Sequence, residues 1–281
     1  MSDVRFLEDS WTVPSCRRTY HYTVWQPERL TALLIILHGF GEHGGRYETL
    51  ARTLAEQGIT VVVPDLWGHG RSGGPRGDMG SFTQCLSDLH AMTQHVALRQ
   101  FGHTSFALLG HSFGGLMAIL WGLMHPEHLR ALIVQSPLLE VGFPIPSWKT
   151  TLAKLLAGSW PAASLAMNLN VTMLSHDPNV VLAYRTDPLI HNHMSAGTYC
   201  DILRAQDEAF ARAARLTIPT LLLCGAQDRI ISVDAAQRWF AHVPCEKKSV
   251  VFPNTYHELH HEAIQYEALR LIHDWILQHQ Q

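Results

Sequence analysis

Six runs dominated by apolar residues punctuate the chain without regular polar alternation: Leu33 to Leu37, Thr60 to Val63, Phe106 to Leu109, Leu132 to Val134, Thr220 to Leu223 and Ser249 to Phe252. Such a run suits a strand buried on both faces of a sheet. Before them, Arg18 to Trp25 mixes aromatic and β-branched residues as an early strand would, and Pro27 ends it. Helix-length segments lie between the runs at Arg46 to Gln57, Phe82 to Arg99, Phe113 to Met124, Val233 to Ala241 and Glu258 to Gln278. Alternation of this kind predicts an α/β fold with a mostly parallel central sheet and helices on both faces.

The alternation stops between about Pro137 and Leu216. Pro, Gly and Trp interrupt short helical patterns there, and no stretch resembles a core strand. The pattern predicts a helical cap (lid) insertion over residues 137–216, set on a core made of residues 1–136 and 217–281. From Val141 to Asn170 the only charged residues are Lys149 and Lys154. That composition fits first of all packing within the cap, and without excluding it a lid that lines an acyl tunnel and rests on lipid.

Composition narrows the classes. A chain of 281 residues can build a large core without a metal or disulfide staple. With 21 Lys and Arg against 24 Asp and Glu the net charge is −3, which gives no reason to expect nucleic acid as a partner. Hydrophobic residues make up 47% and charged ones 16%, too apolar for disorder. Cys16, Cys85, Cys200, Cys224 and Cys245 are an odd set without a C-x-x-C pair, so reduced and mostly buried thiols are expected. The start, MSDVRFLEDSWTVPS, is acidic where a secretory leader would be basic and then apolar, and no apolar stretch approaches the ~20 residues of a membrane span. A cytoplasmic protein is expected, with peripheral membrane contact through the apolar cap. Oligomeric state is not legible.

The chemistry begins at Gly110-His111-Ser112-Phe113-Gly114, a G-x-S-x-G pattern. It follows the run Phe106 to Leu109 and precedes the helical run from Phe113. Ser112 should therefore stand on a sharp strand-to-helix turn, with glycines relieving the crowding. A serine hydroxyl needs a base within reach and an acid to orient that base. Asp228 follows the run Thr220 to Leu223, and His257 follows Ser249 to Phe252 through P-N-T-Y, so nucleophile, acid and base occur in the order expected for this fold. Asp234, after Ser232, reads instead as a first-turn helix residue, and His260 and His261 as members of the last helix. Charge developing on a carbonyl oxygen needs donors. The glycine-rich turn His38-Gly39-Phe40-Gly41 after Leu37 can aim the Phe40 N–H, and the Phe113 N–H is the second. His38 and His111 read as bracing residues.

H-G-F-G-E-H-G-G-R-Y, P-D-L-W-G-H-G-R-S-G-G-P-R-G, L-L-G-H-S-F-G-G, S-H-D-P-N-V-V-L-A-Y-R-T-D-P-L, C-G-A-Q-D-R and Y-H-E-L-H-H-E together resemble the monoacylglycerol lipase and lysophospholipase group of serine α/β-hydrolases. The resemblance runs from about Leu33 to the end of the last helix. It implies Ser112, Asp228 and His257 as a triad, the Phe40 and Phe113 amides as oxyanion donors, an α/β-hydrolase fold with a cap over an acyl channel, no cofactor and no metal. It also implies a small-molecule lipid ester as substrate, a monoacylglycerol or lysophospholipid-type ester. A general short-chain carboxylesterase or thioesterase is the main rival. A remoter one is a zinc-dependent hydrolase, because His257-Glu258-Leu259-His260-His261 also spells H-E-x-x-H, with His257 and His261 as ligands. That motif needs both histidines on one helical face, and His257 is expected to precede the helix. A ligand-binding relative without catalysis is a third reading, disfavoured because every triad candidate is present.

Overall fold

The computed structural model describes residues 4–167 and 169–280. Ten strands and eight α-helices are found there: β1 (Val4–Thr12), β2 (Thr19–Pro27), β3 (Ala32–Leu37), α1 (Glu48–Glu56), β4 (Ile59–Pro64), α2 (Phe82–Met92), β5 (Phe106–His111), α3 (Phe113–Met124), β6 (Leu129–Gln135), α4 (Ser147–Ser159), β7 (Ser164–Ala166), α5 (Pro178–Thr186), β8 (His193–Ser195), α6 (Ala196–Arg212), β9 (Thr220–Gly225), α7 (Val233–Ala241), β10 (Lys247–Phe252) and α8 (Gln265–Gln278). Eight strands form one sheet in the order β1-β2-β4-β3-β5-β6-β9-β10. From β4 to β10 all pairings are parallel, while β1 with β2 and β2 with β4 are antiparallel. Every residue of β3, β4, β5 and β9 is buried, which is why these strands read as unbroken apolar runs.

The sheet divides the interior into two apolar layers. One joins Leu33, Ile35, Leu108 and Leu132 to α2, α3, α6 and α7; the other joins Leu34, Ile36, Leu109 and Ile133 to α1 and α8. Alternate residues of each strand serve opposite layers, as the period of two requires. Helix starts follow local chemistry. Ser81, Ser195 and Ser232 accept hydrogen bonds from the backbone N–H groups of Gln84, Thr198 and Ala235, and Asp234 falls in the first turn of α7.

Residues between β6 and β9 stay out of the large sheet. They contribute α4, a two-stranded antiparallel ribbon of β7 and β8, α5 and α6. The last of these is anchored below: Ile202, Ala205 and Ala209 belong to the same buried layer as α2 and α3. Several element boundaries depart from the sequence expectation. β1 was not anticipated, because it is largely exposed and takes its register from β2, pairing Val4 with Pro27 through Thr12 with Thr19. The segment expected as one helix from Phe82 to Arg99 is α2 followed by a π-helical stretch, Thr93–Gln100. The last helix begins at Gln265, after a separate 3₁₀ turn at Leu259–His261, so His260 and His261 precede it. The ribbon of β7 and β8 was also unforeseen. All five cysteines are free, Cys85 and Cys224 buried and Cys16 exposed.

Candidate active site

Ser112 stands between the last residue of β5 and the first of α3, with φ 53° and ψ −114°. A serine avoids this region unless its surroundings impose it. Here the Ser112 N–H donates to the Gln135 carbonyl at 3.0 Å, and its own carbonyl accepts from Leu116 at 3.1 Å and Leu138 at 2.9 Å. The motif's glycines are required by contact. A Cβ on Gly110 would lie 2.1 Å from the Gly114 carbonyl oxygen, and one on Gly114 would lie 2.1 Å from that of Leu37. Only bare backbone lets α3 descend so closely onto β3 and β5.

Asp228 follows β9 and His257 follows β10, and the two meet. Asp228 Oδ2 accepts from His257 Nδ1 at 2.6 Å, while Oδ1 accepts from the Ile230 and Ile231 N–H groups at 2.8 and 3.1 Å. Both side chains are essentially inaccessible, at 0% and 3% exposure, so the carboxylate acts on the ring without screening by water. Burial alone would raise the Asp228 pKa, but the His257 ring and the two amides bring it below the ordinary value. Burial would likewise depress His257, yet the Asp228 charge and hydrogen bond leave it raised. With Nδ1 committed to Asp228, Nε2 is the ring's free position.

Ser112 and His257 line a common cavity of about 740 Å³. No hydrogen bond joins the Ser112 hydroxyl to the ring among the described residues. Phe40 lies in the turn after β3, its ring edge-on to that of Phe113 at 5.3 Å. His38 braces this turn as expected: its Nε2 accepts from the Leu66 N–H at 2.9 Å and its Nδ1 donates to the Gly39 carbonyl at 2.7 Å. Gly41, at φ 82°, is clamped from the other side, accepting from the His191 N–H at 2.9 Å. As the first residue of α3, Phe113 has no intrahelical acceptor for its N–H. His111 packs 4.6 Å from the His257 ring, and burial followed by that neighbour's charge lowers its pKa to about 3, so it stays neutral.

A buried ionic group beneath the cavity was not anticipated. Arg46 donates to Glu42 and, through both terminal nitrogens, to Glu258 at 2.6 and 2.7 Å. Glu42 Oε1 also takes the Gly39 N–H at 2.6 Å and the Tyr47 hydroxyl at 2.8 Å. Tyr184 of α5 covers the guanidinium, its centroid 4.8 Å away. One cation thus ties the turn carrying Phe40 to the residue after His257. Burial opposes ionisation of Glu42 and Glu258, but Arg46 holds both carboxyls below the usual range. The Glu42/Arg46 spacing of four was visible in the sequence; the partner 212 positions away was not.

The zinc reading takes His257 and His261 as ligands, but the ligand atoms that lie together among the described residues of this motif are those of Glu258, His260 and His261, without His257. Only Leu259–His261 are helical, in a 3₁₀ turn, so His257 and His261 do not share an α-helical face. Moreover His257 is engaged by Asp228, Glu258 by Arg46, and the His261 nitrogens by Glu258 at 2.8 Å and the Arg46 carbonyl at 3.1 Å.

Residues 28–264 match the family model described as serine aminopeptidase, S33. The chain belongs to the S33 serine hydrolase family. Within this family it is 30% identical over 261 residues to a monoacylglycerol lipase of Mycolicibacterium smegmatis, with 92% of each protein covered. It is 33% identical over 268 residues to an uncharacterized abhydrolase domain-containing protein of Dictyostelium discoideum, covering 93% of this chain but only 28% of that one. A monoacylglycerol lipase of Paleococcus ferrophilus superposes with a TM-score of 0.83 at 27% identity, covering 99% of both chains. This S33 protein is an ester hydrolase of the monoglyceride-lipase-like group, with the α/β-hydrolase fold expected from its sequence.

Proposed function

We propose that the protein hydrolyses single-chain lipid esters, monoacylglycerols or lysophospholipids, through an acyl-enzyme on Ser112. His257 Nε2 takes the hydroxyl proton as Oγ attacks the ester carbonyl, then returns it to the departing alcohol; water repeats the attack on the acyl-enzyme with the same base. Asp228 holds the ring in the Nδ1–H tautomer and stabilises its charged form. The Phe40 and Phe113 amides receive the developing negative charge, and each such donor is worth ~3–4 kcal/mol in acyl transfer. Contacts between nucleophile and base commonly tighten only with substrate bound, so an open hydroxyl in the free protein accords with this scheme.

The observation carrying the substrate class is the wall of the cavity above Ser112. Phe143, Trp148, Leu152, Leu165, Leu169 and Ile202 line it, all from residues 137–216. We assign that segment as a cap over the core formed by 1–136 and 217–281. An apolar channel of this volume suits one acyl chain, and burying each methylene contributes ~0.8 kcal/mol to holding it. The names of the Mycolicibacterium and Paleococcus relatives agree with this substrate. Leu155 and Trp160 of the same segment are exposed, apolar groups that would rest on lipid while the channel loads. No helix among the described residues is long and apolar enough to cross a membrane.

Hydrolysis of monoacylglycerols, lysophospholipids and p-nitrophenyl esters across an acyl-length series tests the reading. A rise in kcat/KM from two-carbon to long acyl groups, lost in Ser112→Ala, is expected. A preference for acetyl esters or acyl thioesters with no turnover of long chains would assign the protein as a short-chain esterase or thioesterase instead.

A further inference from the structure

At the end of the sheet opposite Ser112, three potential metal ligands meet. His90 comes from the last turn of α2, His125 caps the C-terminus of α3, and Glu127 lies in the turn leading to β6. Each can offer one ligand atom, and these atoms lie within 4.8 Å of one another. The two imidazoles stack with centroids 4.3 Å apart and planes 18° from parallel. His90 Nδ1 and His125 Nε2 are both buried without a hydrogen-bond partner. A buried polar atom left unpaired is costly, so two adjacent cases in facing rings point to a missing partner.

The surroundings favour a cation. The C-terminus of a helix concentrates unpaired carbonyls and partial negative charge, and α3 ends at His125. Glu127 is exposed and supplies a full negative charge. The turn is held in place: the His125 N–H donates to the Trp121 carbonyl at 2.7 Å, Leu129 donates to Pro126 at 3.2 Å, and His128 bonds Thr104 at 2.9 Å. Tetrahedral zinc with bonds near 2.0–2.1 Å needs its ligand atoms about 3.4 Å apart, so the two rings must turn out of their stack to close on an ion from the 4.8 Å within which these atoms now lie.

We propose that His90, His125 and Glu127 form a binding site for a divalent transition metal, zinc by its preference for imidazole and carboxylate, with water completing four-coordination. The ion would staple α2 to the α3–β6 turn. The site takes no part in the chemistry at Ser112, which lies beyond the full length of α3, about 18 Å of helix.

Tag-free protein, stripped with chelator and then titrated with zinc chloride in a calorimeter, tests the site. One tight equivalent is expected, with binding at least tenfold weaker in His90→Gln and in His125→Gln. At a hundredfold excess over Kd, zinc should raise the wild-type Tm by about 5 °C and leave both variants unmoved. Ester turnover of the metal-free variants should match that of metal-free wild type. Absence of a stoichiometric binding event in the wild type, or its survival in both variants, overturns the proposal. Should the variants fail to fold, diethylpyrocarbonate labelling of wild type decides. Zinc must slow modification of both His90 and His125, and unchanged labelling of either refutes the site.

Discussion

Replacing Ser112 by glycine should remove the proposed nucleophile and make the protein more stable than replacing it by alanine. The φ of 53° and ψ of −114° lie where any side chain with a Cβ is strained, by ~1–3 kcal/mol. Glycine takes these angles freely; alanine keeps the Cβ and the strain. Against the relief stand two losses: ~0.4–1 kcal/mol from the greater freedom of glycine in the unfolded chain, and less than ~0.8 kcal/mol from one half-buried methyl group. The net expectation is about 1 kcal/mol in favour of glycine, or about 2–4 °C in Tm for a chain of this size. Both variants lack the hydroxyl, so its interactions cancel in the comparison. The three backbone hydrogen bonds around residue 112 should keep the turn in place, so the energy appears as stability rather than as rearrangement. Urea titrations and calorimetry on the two inactive variants measure the difference. A glycine variant no more stable than the alanine variant would show that the turn carries no strain, and the case for an imposed, functional geometry at Ser112 would lose its energetic basis.

The pH dependence of kcat/KM should show an acid limb with its midpoint above 6.5, because His257 must be neutral to act as base and its pKa is raised in the folded protein; activity falls as pH drops through that value. Asp228→Asn should lower kcat by about 10⁴ and move the remaining limb to lower pH, since the carboxylate that raises the ring's pKa and fixes its tautomer is gone; an unmoved limb would mean that another group titrates. Arg46→Met leaves Glu42 and Glu258 buried without their cation and should destabilise the fold by ~3–5 kcal/mol at pH 7.5. The sign of the pH effect should also invert. In the wild type both carboxyl pKa values are depressed, so their contribution is present at neutral pH and lost on acidification. In the variant, burial raises them, so stability should rise between pH 7.5 and 5, and urea midpoints at the two values that move together in both proteins would contradict this.

What was legible in the chain follows from how far each signal reaches. β3, β4, β5 and β9 are buried on both faces, so each announces itself locally as an apolar run, and the proposed nucleophile and acid follow such runs within a few residues; the proposed base follows β10, an edge strand exposed along most of its length, so the run Ser249 to Phe252 is not the doubly buried strand its sequence suggests. β1 announces nothing, since its residues are mostly exposed and only pairing with β2 orders it. The boundary of the last helix was misjudged because Glu258, His260 and His261 suit a helix by composition, yet in the structure Glu258 turns inward to Arg46 and His260 stacks on Tyr47 at 4.6 Å, which holds that stretch as a turn. The sheet order explains why the local signals sufficed for the site. Phe40 follows β3, Ser112 follows the neighbouring β5, and Asp228 and His257 follow β9 and β10 on the other side of β6. Parallel strands deliver all four to the same edge, so right identification of the strands nearly settles where those residues gather. It leaves open how rigidly the two sides of that edge are joined. That task falls to Arg46, whose guanidinium bridges the turn after β3 and the segment after β10 under the ring of Tyr184. Of the partners of Arg46 only Glu42 is local, while Glu258 and Tyr184 come from distant segments and leave no local signature, so the connection that holds the two halves of the site in register was the part hidden from the sequence.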